Sequence, residues 1–227
     1  MRSRLYLPLV VFLIAAGAPS PEAPQDFSSV APKTLGVEFL APEKDEKTGF
    51  LIGGKNDTSL IAKLPSLAGR SIKDLEKDMR PGALSRLGFM GKDESLLEIL
   101  TMDNRFVVEM KKLTHQDLAR PLAIVGAVAA KHGLEKPYDF LYHGQRLRAT
   151  AVKFRAHVDS PFDDGAKTNI AVTITNEDNG KKIAYSLLVP HLIERYGFYE
   201  GKGTPYRLEP QAILDVFEFL TKAPAKK

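Results

Sequence analysis

The chain has 227 residues, 44% hydrophobic and 26% charged, the balance of a globular protein that can bury a core. Removing Arg2 and Arg4, which belong to an expected leader, leaves 30 of the 32 basic residues against 28 acidic ones, and Lys222, Lys226 and Lys227 lie in a terminal tail. The body is therefore near neutral, which speaks against nucleic-acid binding. The absence of cysteine excludes a disulfide framework, a thiol nucleophile, a cysteine zinc site and a lipid-modified cysteine anchor.

Residues 1–17 read as a cleavable secretory signal. Arg2 and Arg4 precede an apolar run from Leu5 to Ala16, too short for the ~20 residues of a spanning helix. The small residues Ala15 to Ala18 suit signal peptidase, with cleavage expected after Gly17. Arg2-Ser-Arg4 is not a twin-arginine pair, so the general secretion route is expected, with no transmembrane segment left after cleavage. Export and the cysteine-free composition favour a soluble bacterial protein of the periplasm or extracellular space.

Residues 18–48, rich in Pro, Ala and charge, read as a flexible lead with a short strand at Leu35 to Leu40. The globular region spans 49–221, divisible into a helical part over 49–135 and a β-rich part over 136–221, before the Lys-rich tail 222–227. Phe50–Ile52 and Ser59–Ala62 flank a Gly/Asn/Asp turn and predict a hairpin. Ser71 caps a helix through Met79, and Asp93 caps a second, with a strand–turn–strand alternative at Asp103-Asn104. Thr114-His-Gln-Asp117 opens a third helix to about His132, closed by Gly133 and carrying Pro121 as a kink. Leu141 and Tyr142 lead through His143-Gly144 into a strand from Leu147 to Val158. Its apolar positions switch from odd (Leu147, Ala149, Ala151) to even (Phe154, Ala156, Val158), the mark of a bulge or corner. Ile170–Ile174 and Ile183–Val189 alternate about Asn176–Gly180 as a second hairpin, and Pro190 and Pro210 each open a helix. The fold class is α+β: an antiparallel sheet with packed helices, helix-rich in the first half and β-rich in the second.

Three motif-like stretches fail on context. Gly49 to Asn56 resembles a phosphate loop but has Asn56 where a metal-binding hydroxyl belongs, and no buried strand precedes it. Leu113 to Ala119 could start a helix-turn-helix, but the helix that follows is apolar rather than basic. Asn56-Asp-Thr58 is a glycosylation sequon on an expected accessible turn, relevant only in a eukaryotic secretory route. The histidines at 115, 132, 143, 157 and 191 show no ligand spacing, so they do not define a metal site, and no nucleophile elbow occurs. No cofactor is implied.

Two regions carry the candidate chemistry. His157, Asp159, Asp163 and Asp164 at the end of the long strand, with His191 and Glu194 one helical turn apart, could form an acid–base or metal-binding cluster of a hydrolase. The Gly-rich stretch after them supplies Arg195, Tyr196, Tyr199, Lys202, Tyr206 and Arg207, residues suited to stacking on a glycan or gripping a peptide. The leading expectation is a non-enzymatic binding domain for an envelope or extracellular protein or glycan. A hydrolase and a structural assembly subunit pairing through the Ile170–Val189 hairpin are the alternatives.

Overall fold

A computed structural model of the protein describes residues 23–222. The signal expected over 1–17 lies outside these residues, as does the tail beyond Lys222. Among the described residues no helix is long and apolar enough to cross a membrane.

In chain order, β1 (Gln25–Asp26) is followed by a 3₁₀ turn at Pro32–Leu35, then β2 (Glu43–Lys44) and β3 (Leu51–Ile52). The strand expected at Leu35 to Leu40 does not form. Pro32 starts a single turn and Gly36, at φ 72°, closes it in the left-handed region. The hairpin expected between Phe50–Ile52 and Ser59–Ala62 is also replaced: β3 pairs back with β2, and Thr58–Ile61 forms α1. The reason is capping. Asp57 accepts a hydrogen bond from the Ser59 amide at 2.7 Å, a local gain that alternation over four residues does not match.

Next come a tight hairpin, β4 (Ser66–Leu67) and β5 (Arg70–Ser71), then α2 (Ile72–Met79) with Ser71 as its cap. The helix α3 (Leu96–Asn104) starts from Ser95 rather than Asp93 and runs into a π-helical turn over Arg105–Met110, so the strand alternative at Asp103-Asn104 is not used. The helix α4 (His115–His132) has the expected capping box between Thr114 and Asp117, the internal Pro121 and the Gly133 end.

The second half supplies β6 (Tyr138–Tyr142), β7 (Gln145–Asp159), β8 (Lys167–Asn176), β9 (Lys182–Ser186), α5 (Val189–Tyr196) and α6 (Pro210–Val216). The main sheet has the order β1-β6-β7-β8-β9, antiparallel except for β1 against β6. The face switch in β7 is a wide irregularity. Lys153 pairs with Ile170 and Val158 with Thr168, leaving residues 154–157 opposite Asn169 alone.

The α+β class thus holds, and α4 lies on the sheet face built by Leu147, Ala149, Val172, Ile174 and Tyr185. Two apolar clusters fill the interior. One lies between α4, the sheet and α6; the other gathers Phe50, Leu75, Met79, Leu96 and Phe162. Both draw residues from either side of position 135, so the boundary there separates no core. α5 joins them, with Val189 and Ile193 in the first and Leu188, Leu192 and Tyr196 in the second. A helix buried on both faces also buries its polar residues, and Glu194 and Arg195 must find partners inside. The lead contacts this body too: Phe27 packs edge-on against Phe140 at 5.6 Å, and the Ala41 carbonyl accepts from Arg195 at 2.9 Å.

Candidate functional site

The acidic turn and the aromatic stretch meet at α5. The Asp164 carboxylate accepts from His191 Nε2 at 2.7 Å and from the Tyr196 hydroxyl at 2.9 Å, while the Tyr196 ring stacks on Phe162 at 3.8 Å. Burial works against the Asp164 charge. The hydrogen bonds from His191, the Ala166 amide and Tyr196, with the field of His191, outweigh it and hold Asp164 well below the carboxylate range. Burial and the neighbouring Asp164 push the Tyr196 hydroxyl the other way, well above the usual phenol range.

The remaining members of the expected acid–base cluster go elsewhere. Asp163 lies 3.2 Å from Arg70, which also pairs with Asp78, and Glu194 lies 3.8 Å from Arg120. His157 and Asp159 are exposed on the far end of β7 and make no hydrogen bond or ion pair with the others among the described residues. The six-residue cluster therefore reduces to an Asp164–His191 pair clasping the 161–165 turn onto α5. Among the described residues no group of three or more His, Asp or Glu is arranged to hold a metal ion.

The aromatic stretch is also corrected. Stacking on a ligand needs free rings, but Tyr196 and Tyr199 are only 5% and 0% exposed, and Phe198 is buried with them. Tyr199 belongs to a buried polar chain. His115 Nδ1 lies 3.0 Å from the Tyr199 hydroxyl and Nε2 lies 3.1 Å from Asn104 Oδ1, while Asn104 Nδ2 donates to Thr58 Oγ1 at 2.8 Å. Asn104 Oδ1 only accepts, so His115 Nε2 carries the hydrogen and Nδ1 accepts from Tyr199. Burial pushes His115 down to about 4, so the ring is neutral at pH 7. Arg207 makes a bidentate pair with Asp103 at 2.6 and 2.7 Å, and Arg195 is spent on Ala41 and Glu43. Of the six candidate binding residues, Lys202 is exposed and Tyr206 is half-buried at a cavity.

That cavity, of about 260 Å³, is what inspection of the sequence misses. It lies between the Ser85–Phe89 loop and the irregular end of β7, with Phe154, Ala156 and Val158 on one wall and Ile170 and Phe89 on others. The Gly201 amide donates to the Phe89 carbonyl at 2.8 Å and holds the loop in place. No family model, curated protein or solved structure matches this chain.

Its function must therefore be argued from this geometry. The rim leaves Leu87 and Phe154 51% and 46% exposed, and Leu84, three positions before Leu87, is exposed as well. Arg86, in the lining, is exposed and makes no ion pair among the described residues. Inside, Glu200 is buried, its Oε2 accepting from Thr204 Oγ1 at 2.8 Å, and burial raises its carboxyl to about 8. At neutral pH it is mostly the uncharged acid, and the cavity carries no full negative charge. Part of this was legible: the odd-to-even switch places Phe154, Ala156 and Val158 on one wall. The loop that completes the cavity lies some seventy positions earlier in the chain, with no periodic pattern linking the two.

The sequon is placed unlike its expectation. The Asn56 amide clamps both backbone groups of Leu51, accepting at 2.7 Å and donating at 2.9 Å, and is buried. Glycosylation would need this clamp to open.

Proposed function

We propose that the chain is an exported, non-enzymatic binding domain that grips a large apolar side chain of an envelope or extracellular protein in the cavity between the Ser85–Phe89 loop and the end of β7. The observation that carries this reading is an apolar cavity with Leu87 and Phe154 exposed on its rim. Exposed apolar residues grouped around a pocket are the anatomy of an interface anchor. Size decides between ligand classes. At about 260 Å³ the cavity lies below the roughly 300–1,000 Å³ of small-molecule sites, which favours a single anchoring side chain. Arg86, exposed where it lines the cavity, favours a partner segment with an acidic flank. The basic start and apolar run over Arg2 to Ala16, which read as a secretory signal, support the extracellular or periplasmic setting.

The test uses N-acetyl-phenylalanine amide and N-acetyl-tryptophan amide as probes in ¹H–¹⁵N NMR titrations. Amide shifts should cluster at Phe89, Phe154, Val158 and Ile170 and vanish in Ala156→Trp, which fills the cavity. Shifts that persist in that variant, or none at millimolar probe, would overturn the reading.

A further inference from the structure

A second cavity, of about 570 Å³, lies between the 35–39 segment and the helices α4 and α5. Its wall on α4 is Ala123, Ala127 and Ala130, and its polar end is built by His191 and Glu194. These alanines recur at helical spacing on one face, and their short side chains leave the space open.

The Glu194 side chain is 9% exposed, and its Oε1 is closed to solvent with no hydrogen-bond partner. The nearest cation, Arg120, lies 3.8 Å away, is itself 53% exposed, and sits over the Phe39 ring at 5.1 Å. Such a contact leaves the buried acceptor unsatisfied, which is costly unless a bound group supplies the missing donor. Asp164, which only accepts, takes the hydrogen on His191 Nε2 and so fixes the ring beside Glu194 at the polar end of the cavity. Phe39 lines the same space with its ring face already occupied by one cation.

We propose that this cavity binds an organic primary ammonium group with a short apolar tail, Glu194 pairing with the ammonium and the α4 alanines receiving the tail. The N–H donors of an ammonium match the Glu194 carboxylate, which a ligand carboxylate would meet with repulsion. Arg120, 3.8 Å from Glu194, is the competing cation, and its exposed position lets an incoming ammonium displace it toward solvent, whereas Arg195 is held by Ala41 and Glu43. This site is independent of the cavity beside Leu87 and Phe154, and either can fail without the other.

Hexylammonium is the probe, with hexanol and hexanoate as controls of equal length, titrated into the mature chain by calorimetry and ¹H–¹⁵N NMR. Hexylammonium should shift the amides of Phe39, Ala123 and Ala127, and bind at least about tenfold more tightly than either control. Glu194→Gln, which keeps the shape and removes the charge, should lower its affinity about tenfold or more. Ala127→Leu should block the tail from the opposite wall, and it decides the matter if the glutamine variant does not fold. Equal affinity for hexanoate, unchanged binding in the folded variants, or no binding of hexylammonium at millimolar concentration would each overturn the proposal.

Discussion

Acidification tests the buried chain through His115. Its folded value is about 4 against an ordinary 6.5, and burial is the cause. Between these values the unfolded chain takes up a proton that the folded chain refuses, so stability is lost as pH falls from about 6.5 toward 4. At pH 5 the unfolded ring is protonated and the folded one is not, a gap of about 1.5 pH units on the unfolded side. At about 1.4 kcal/mol per unit this amounts to about 2 kcal/mol lost relative to pH 7. Other groups titrate in the same range, Glu200 in the opposite sense, since its raised value makes the folded state the better proton acceptor below about 8. The comparison must therefore be differential. Urea unfolding of the wild type and of His115→Gln at pH 7 and 5 cancels the shared contributions. The wild type should lose about 2 kcal/mol more than the variant between the two conditions. Equal losses, or a His115 ring resonance titrating near its ordinary value, would refute the assigned burial and the direction of the Tyr199 hydrogen bond.

The two tyrosines of the aromatic stretch should separate cleanly in the same unfolding assay. Tyr199→Ala empties a fully buried site and strands His115 Nδ1, so it should cost about 3–5 kcal/mol, whereas Tyr206→Ala at the cavity wall should cost under about 1.5 kcal/mol and weaken the aromatic-amide probes. Comparable losses for both would place Tyr206 in the core. Export is checked by expressing the whole chain in a secreting bacterium and sequencing the amino terminus of the product. It should begin at Ala18, and recovery of an intact Met1 terminus in the cytoplasm would contradict the signal.

What could be read from the sequence is what short-range physics decides. Thr114 and Asp117 announce a helix start because their side chains satisfy amides three positions away. Pro190 and Pro210 open α5 and α6 because a fixed φ and a missing N–H suit the first turn. The parity switch after Val152 locates the irregularity in β7, since side-chain alternation reports register directly. At Thr58–Ile61 the strand alternation misled, because the Asp57 side chain caps a helical turn there instead.

The candidate sites followed another rule. Tyr196 and Tyr199 look like exposed binding residues because glycines and charges surround them in the chain, yet α5 lies between two apolar clusters and draws them inside. The Arg207–Asp103 pair, the His115–Tyr199 contact and the Arg195–Ala41 bond join residues 104, 84 and 154 positions apart. No periodicity encodes such pairings. By itself the sequence determined the α+β class, the helix starts and the strand faces, because these rest on neighbours within a few residues. Which tyrosine is core, which carboxylate oxygen lacks a hydrogen bond and where a cavity opens were decided only by tertiary packing, because burial is a property of the assembled surface.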